Sequence, residues 1–324
     1  MTITRFPHGI SSFGVPLFGS MQQEVISGDV YFVGATAGAS WVAGVNAGEC
    51  GQKETPFATI DYAIGKCTAN NGDVIYVLPG HTETLATAGA ITADIAGISI
   101  IGLGNGSLIP KLTLSATAAT IAVSAANVTI KNLIIIPGIA EIVTVFYVTA
   151  GYCTLDGIIS YANSTYCIMT MVLTTSAADD LTIKNCHWVQ TQVPAANSKF
   201  ISLVGADRAR ILGNYFDIAL TNHASSTILG GATTASLDIC VRDNLFKIAG
   251  GTTILSAVLL YTATTGVVAW NAMVGTAAAL AGLNNPANCH CIENYAESAV
   301  AKSGVLDPVI TVSDLRLKTG VMYL

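Results

Sequence analysis

Three aspartates stand at nearly the same place before a repeated segment, and their carboxylates are the groups of this chain best suited to chemistry. Asp179, Asp207 and Asp238 each precede an asparagine of that segment by six or seven residues. If the repeats stack as strands, equivalent carboxylates lie about 4.8 Å apart, near the roughly 5 Å that a retaining glycosidase needs. Three such carboxylates could also hold a calcium ion. The alternative, which we favour, is a row of solvated turn residues partly neutralised by Arg208 and Arg210.

The remaining acid and base candidates lack the partners that catalysis requires. Asp179 is followed by Asp180, and the two form an acidic pair. His81 and His187 could each serve as a base, but no nucleophile or carboxylate is spaced to activate either of them. We therefore predict no catalytic residue. The alternative enzyme hypothesis depends on Asp179, Asp180, Asp207 and Asp238.

The eight cysteines are predicted to be small apolar residues of a core. They are scattered along the chain and lack the compact pattern of a small disulfide-stabilised domain. Cys289 and Cys291 flank His290, but no second cysteine or histidine pair has the spacing of a zinc site. We expect reduced thiols, no bound metal and no cofactor.

The elements that must position these residues are short segments that recur every 23 to 30 residues. Each alternates apolar and polar residues with the period of a β-strand, as in VTIKNLII from Val128 to Ile135. Each also contains one Asn or Gly, and these residue types tolerate the left-handed backbone of a sharp bend. The Asn or Gly residues of the successive segments are Gly102, Asn132, Gly157, Asn185, Asn214, Asn244, Asn271 and Asn294. The pattern predicts an all-β parallel β-helix, with one coil per repeat and the asparagines stacked at one corner.

Composition and charge limit the classes of partner. Of the 324 residues, 52% are hydrophobic and 10% are charged, and the net charge is −6. The chain has no basic run, so we expect no nucleic-acid binding. No charged residue occurs from Ile248 to Ile292, but this segment is rich in Thr, Gly and Asn, so we expect no membrane span. The coils from Thr252 to Leu283 are instead predicted to face a partner subunit.

The chain divides into four predicted regions. An extended arm, an N-terminal cap with the first coil, the parallel β-helix coils and a C-terminal cap span residues 1–20, 21–97, 98–296 and 297–324, respectively. Within the N-terminal cap, a short helix is predicted to begin with Thr55 as its N-cap and Pro56 in its first turn. Its apolar face would cover the end of the first coil, which would otherwise be an exposed sheet edge.

The arm carries the residues that we expect to dock on another protein. It has neither strand nor helix periodicity, and it lacks the apolar core and cleavage site of a signal peptide. Burying two of its phenylalanines would contribute roughly 3–6 kcal/mol, which favours docking over exposure to solvent. The predicted docking residues are Arg5, Phe6, Pro7, Phe13 and Phe18.

Two segments resemble known proteins. Phe32 to Thr84, which contains TPFATIDYAI and NNGDVIYVLPGHTET, resembles the opening of right-handed parallel β-helix proteins of the pectate-lyase-like superfamily. Many of these are phage or bacterial surface proteins. The start of the arm, RFPHGI, is similar to the starts of some phage virion proteins. Polygalacturonase-like enzymes of the superfamily use Asn-Thr-Asp, an Asp pair, Gly-His-Gly and Arg-x-Lys, and this chain has only the Asp pair. It also lacks the Arg-x-Pro-x-x-Arg pattern of pectate lyases.

The sequence therefore predicts a structural virion protein, assembled in the host cytoplasm. Low charge, the missing catalytic motifs and the apolar arm favour a capsid decoration subunit, a homotrimer of β-helix rods that docks on a capsid or other virion protein. The alternative is a carbohydrate-active enzyme or a polysaccharide-binding tail spike that uses the row of aspartates. An adhesin or surface-layer subunit would share the fold but would need an export route.

Overall fold

The computed structural model describes most of the chain. The described residues are 11–12, 15–16, 28–38, 40–161, 163–196, 198–220, 227–231, 234–249, 256–275, 288–298 and 302–305. The predicted docking residues Arg5, Phe6, Pro7, Phe13 and Phe18 lie outside them, as does most of the predicted C-terminal cap. Within the arm, Ser11–Ser12 pairs antiparallel with Val15–Pro16.

Three parallel sheets extend along the molecule, and from Val74 to Leu259 the chain visits them in the order first, second, third in each coil. The first sheet contains Val30–Val33, Val74–Val77, Ser99–Gly102, Thr129–Lys131, Thr154–Asp156, Thr182–Lys184, Arg210–Leu212, Ile239–Arg242, Thr265–Ala269 and Asn288–Ile292. The second contains Thr82–Leu85, Lys111–Leu114, Ile134–Pro137, Ile159–Ser160, His187–Gln190, Tyr215–Ala219, Leu245–Ala249, Ala272–Gly275 and Tyr295–Ser298, with Lys302–Val305 added antiparallel. The third contains Ile91–Ala93, Ile121–Val123, Phe146–Val148, Val172–Thr174, Lys199–Leu203, Thr227–Gly231 and Ser256–Leu259.

Alternation along each strand builds one continuous core. In Thr129–Lys131 and Thr182–Lys184 the central isoleucine is buried and its neighbours point outward. Since equivalent residues stack in register, each buried side chain contacts its counterpart in the next coil. Aromatic rings do the same in the second sheet, where Phe216 and Phe246 stack with centroids 4.9 Å apart. Full burial contributes roughly 1.5–3 kcal/mol for each large apolar side chain.

A short helix covers the N-terminal end of this core. The helix spans Ile60–Ile64 and buries Ile60, Ala63 and Ile64. The predicted start was wrong, because the N-cap is Thr59, whose side chain accepts a hydrogen bond from the backbone of Tyr62. The preceding residues serve the sheet instead. Phe57 bridges Val33, and its N–H donates to the carbonyl of Phe32 at 2.8 Å.

The remaining regular elements are short. One 3-10 turn spans Gly106–Leu108. A two-stranded parallel sheet pairs Glu141–Ile142 with Cys167–Ile168 between the second and third sheets. In the described part of the chain, none of the helices is long and apolar enough to cross a membrane. The predicted all-β parallel β-helix is confirmed.

Candidate functional site at the corners of the first sheet

A ladder of buried asparagines occupies the exit corner, which we define as the turn from the first to the second sheet. Asn214, Asn244, Asn271 and Asn294 have at most 2% of their surface exposed. The amide nitrogens of the first three donate to the amide oxygen of the next asparagine at 2.9 Å, and that of Asn294 donates to the carbonyl of Val268. Each of these oxygens also accepts the backbone N–H of the asparagine one coil earlier, at 3.0–3.1 Å.

Backbone carbonyls complete this ladder. The second amide hydrogen of Asn214 reaches the carbonyl of Ile183 at 3.0 Å, and that of Asn271 reaches the carbonyl of Val241 at 2.9 Å. Every rung therefore satisfies backbone groups that the bend removes from the sheets. An asparagine can do this because it carries two donors and an acceptor on one short side chain.

The repeated asparagines predicted to stack at one corner do lie at the exit corner, but in two adjacent columns rather than in one. A column here is the set of residues that occupy equivalent register positions in successive coils. Asn132 and Asn185 lie one position earlier in the register than Asn214, in the left-handed region with φ of 54° and 55°. This left-handed column contains Asn132, Gly157, Asn185, Gly213, Asp243, Trp270 and Glu293, with φ between 45° and 63°. The inward column beside it contains Leu133, Ile158, Cys186, Asn214, Asn244, Asn271 and Asn294.

The acidic residues gather at the entry corner, which we define as the turn from the third to the first sheet. Arg208 holds two of them together. Its guanidinium forms hydrogen bonds with both carboxylate oxygens of Asp180, at 2.8–3.0 Å, and with one oxygen of Asp179 at 3.2 Å. These charge-assisted bonds raise the pKa of Arg208. The guanidinium occupies the carboxylates as hydrogen-bond partners, which suits a structural turn better than a general acid.

Backbone amides engage the other oxygens of these carboxylates. Asp179 accepts the N–H of Asp207 at 2.9 Å, and Asp207 accepts the N–H of Leu237 at 2.7 Å. Each carboxylate thus ties its own coil to the next one. Among the described residues, no group of three or more acidic, histidine or cysteine side chains is arranged to hold a metal ion.

Asp238 does not continue the row that the sequence predicted. The register places it in the column of Asp180 and Arg208, and all three have φ of 56–57°. Its equivalent in the column of Asp179 and Asp207 is Leu237. The predicted row was wrong because the spacing was counted from asparagines that lie in two different columns. Six residues before Asn185 and six residues before Asn244 are therefore not equivalent positions.

His81, considered above as a base, is a structural residue of the N-terminal cap. It is 1% exposed, and its Nδ1 accepts the N–H of Ala35 at 2.9 Å. Its Nε2 therefore carries the hydrogen and donates to Glu83, 3.2 Å away. Glu83 in turn accepts the N–H of Ile60 at the start of the helix. The pair joins the cap to the second sheet, and no sequence pattern indicated this role.

The other candidates lie apart from the acidic corner. His187 is exposed on the outer face of the second sheet, where its ring contacts that of Tyr215 edge to face at 4.6 Å. All eight cysteines lie within the described residues, and none forms a disulfide. Burial raises the pKa of the Cys186 and Cys289 thiols to about 12, so both are protonated and unreactive at neutral pH.

Trp270 is a conformational exception in the left-handed column. Its φ is 54° and its side chain is 48% exposed. Left-handed backbone is strained for a bulky residue, and such strain concentrates at functional positions. The indole Nε1 donates to Glu293 in the next coil at 3.2 Å. The composition of the segment pointed to this region, but nothing in the sequence marked Trp270 itself.

Comparison with known proteins supports the fold alone. No protein-family model and no curated protein matches this chain. Among solved structures, the chain is similar to a rhamnogalacturonan lyase, with a TM-score of 0.52 and 13% identity over 83% of this chain and 74% of that one. A second similar structure, Geobacillus virus E2 ORF18, has a TM-score of 0.35 and 12% identity over 74% of this chain and 58% of that one. The chain has the parallel β-helix fold that the sequence predicted.

Proposed function

We propose that this chain is a structural subunit of a virus particle. In this proposal, β-helix rods associate side by side as a homotrimer that decorates a capsid, and residues 1–20 attach each rod to the particle. The observation that carries the self-association is Trp270, an exposed aromatic residue held in a strained backbone within the uncharged segment from Ile248 to Ile292. Tryptophan is among the residues most enriched at the energetic centres of protein interfaces.

The outer faces of the sheets support an uncharged interface near this residue. In the second sheet, one outward column lacks Lys, Arg, Asp and Glu from Ile159 onward, although Lys111 stands in it nearer the N-terminus. This part of the column carries Ile159, His187, Tyr215, Leu245, Ala272 and Tyr295. The outer face of the first sheet differs, because Asp156 lies 3.7 Å from both Lys131 and Lys184. The adjacent outward column is charged, because exposed Val274 stands there between Lys247 and Glu297, and Lys247 pairs with Asp217. A second copy of the chain can cover the uncharged column without burying unpaired charge.

A substitution that separates strain from association tests this proposal. Asn tolerates left-handed backbone, so Trp270→Asn should stabilise the isolated fold by about 1 kcal/mol. The same change should weaken self-association at least tenfold, because the anchor is lost. The measurements are thermal unfolding and analytical ultracentrifugation over a range of concentrations.

Tyr152→Asn provides the matched control. Tyr152 has φ of 60° and is 61% exposed, but it lies at the entry corner, outside the uncharged segment. This change should relieve similar strain and leave association unchanged. A monomeric wild-type protein, or equal loss of association in both variants, would overturn the interface.

The second candidate function is a carbohydrate-active enzyme or polysaccharide-binding tail spike. The observation that favours it is the cluster at the entry corner, where Arg208 gathers Asp179 and Asp180 and the carboxylate of Asp179 contacts the backbone of Asp207. The solved lyase has a related fold, but a fold hosts many functions. The engagement of these carboxylates with arginine and backbone amides supports the structural proposal instead.

A further inference from the structure

A ring of three subunits requires two different contact surfaces on each rod, because its contacts run head to tail around the three-fold axis. A pair related by a two-fold axis would instead use one surface twice. The uncharged column of the second sheet, from Ile159 to Tyr295, supplies one surface for such a ring. In the proposed homotrimer, the other surface lies elsewhere on the rod.

The third sheet presents an uncharged outward column of its own. Tyr147 is 38% exposed, and Leu173 and Leu259 are partly exposed. No member of the column is Lys, Arg, Asp or Glu. The column begins at Thr92 and continues with Ala122, Tyr147, Leu173, Ser202, Gly230 and Leu259. A contiguous uncharged surface with apolar residues of this kind is typical of an interaction site.

The other outward columns of the first and second sheets contain charged residues. In the first sheet, Arg210 stands in one column, and Asp156 and Arg242 stand in the other. In the second sheet, the column beside the uncharged one includes Lys247 and Glu297. Covering these columns would take charges out of water. The two uncharged columns, which lie on different sheets, are therefore the pair best suited to meet in a ring.

The two columns have complementary relief. Ser202 and Gly230 follow one another in the third-sheet column, and because both are small, the surface is low at these two coils. The same two coils carry His187 and Tyr215 in the second-sheet column, where the rings contact each other edge to face at 4.6 Å. The second sheet is therefore high in the coils where the third sheet is low.

A three-fold axis parallel to the rods brings these coils together. Rotation about such an axis keeps each coil at its own height, so a residue of one subunit faces the same coil of the next. The low coils then receive the aromatic rings. In the flanking coils, Leu173 faces Ile159 and Leu259 faces Leu245, which pairs apolar side chains with apolar side chains.

Lys199 lies beside the low part of the third-sheet column. A Cβ added at Gly230 would meet its Cδ at 2.8 Å, so the aliphatic stem of the lysine lies across the outer face of Gly230. Its amine donates to the carbonyl of Gly231, and none of the ion pairs between described residues involves it. Burial lowers the pKa of this amine. The face of an aromatic ring attracts such a cation without adding a charge.

We propose that, in the homotrimer proposed above, the third-sheet column of each rod packs against the second-sheet column of the partner subunit. His187 and Tyr215 of the partner subunit fill the low part of the third-sheet column and lie over Lys199. The two surfaces differ, so the contact closes a ring and does not form a two-fold pair. This contact rests on the proposed self-association, and the two are tested separately.

Cross-linking of paired cysteines tests which surfaces meet. Leu245→Cys and Leu259→Cys, introduced together into the full chain, place thiols on facing columns of the same coil. A short bismaleimide should join this double variant into covalent dimers and trimers on denaturing gels. Each single variant should stay at the wild-type background, which the eight native cysteines set. Cross-linked dimers from Leu245→Cys alone would show that two second-sheet columns meet, and would overturn the contact.

A charge placed in the third-sheet column tests its role in association. Leu173→Lys puts an ammonium group where the contact excludes water, so self-association should weaken at least tenfold in analytical ultracentrifugation. Circular dichroism and thermal unfolding should report an intact fold, because this side chain points outward. Thr154→Lys, on the outer face of the first sheet in the same coil, is the matched control and should associate like the wild type.

The outcomes separate this contact from self-association itself. A wild-type protein that is monomeric at every concentration would overturn both. Association that is lost in Trp270→Asn but unchanged in Leu173→Lys would overturn the third-sheet contact alone. Equal loss of association in Leu173→Lys and in Thr154→Lys would also overturn it.

Discussion

The two corners of the first sheet provide hydrogen-bond partners for the turning backbone in different ways. At both corners most of the described coils bend through a left-handed residue, and the bend leaves backbone groups without a strand partner. The entry corner uses partly exposed carboxylates, which accept backbone N–H groups and form ion pairs with Arg208. The exit corner uses buried, neutral amides that bond to one another and to the backbone.

The difference indicates where the stability of the corners resides. Exposed ion pairs contribute about 0–1 kcal/mol, because solvent screens them and competes for their hydrogen bonds. A buried amide ladder gains little over solvated amides when intact, but breaking it leaves several enclosed groups unpaired. We therefore expect the exit corner to be sensitive to substitution and the entry corner to be tolerant.

The largest effect is expected from Asn244→Leu, in the middle of the ladder. The change removes the acceptor of Asn214 and the donor to Asn271 and to the carbonyl of Ile211. Since each buried unpaired group costs about 1–3 kcal/mol, the free energy of unfolding should fall by more than about 3 kcal/mol. Urea unfolding measures this loss.

Asn214→Leu, at the N-terminal end of the ladder, is the companion variant. Its own φ is not left-handed, so the cost comes from lost hydrogen bonds rather than from backbone strain. We expect a smaller loss than at Asn244. Equal stability of Asn244→Leu and wild type would refute the structural role of the ladder.

A moderate gain is expected from Cys186→Asn, which would lengthen the ladder by one rung. Cys186 holds the position before Asn214, and its Sγ lies 3.9 Å from the carbonyl of Leu155, where an asparagine amide would donate. The new amide would also reach the oxygen of Asn214. We expect stabilisation by about 1 kcal/mol, measured by urea unfolding.

Cys186→Val is the control for this gain, because it fills the same space without a donor. It should leave stability unchanged or slightly lower. A Cys186→Asn variant that is no more stable than Cys186→Val would show that a further rung does not stabilise the corner.

The smallest effect is expected at the entry corner from Asp179→Ala combined with Asp207→Ala. Both carboxylates are exposed enough for water to replace them as acceptors, so the free energy of unfolding should change by less than about 1 kcal/mol. The same double variant tests the enzyme hypothesis against a panel of bacterial polysaccharides. Sugar release by the wild type that disappears in the double variant would refute the structural proposal and establish the carboxylates as catalytic.

Part of this structure could be predicted because the signals were local and repeated. The period-two alternation and the 23–30-residue spacing identified the coils, and the strands of the first sheet from Ser99 onward overlap the predicted repeats. The helix at Ile60–Ile64 was placed correctly but its start was not. Thr55 and Thr59 are equally good N-caps, and the choice depended on Phe57 pairing with the sheet.

The sequence by itself determined the parallel β-helix, because alternation and repetition dictate stacked strands whatever surrounds them. Only the tertiary structure decided what each asparagine does. Asn185 and Asn214 stand in similar sequence contexts, but one lies in the left-handed turn and the other points inward beside it. Asparagine suits both positions, since it tolerates left-handed backbone and bonds to backbone groups. A shift of one residue exchanges the two roles, and that shift is set by the pairing of each coil with its neighbours.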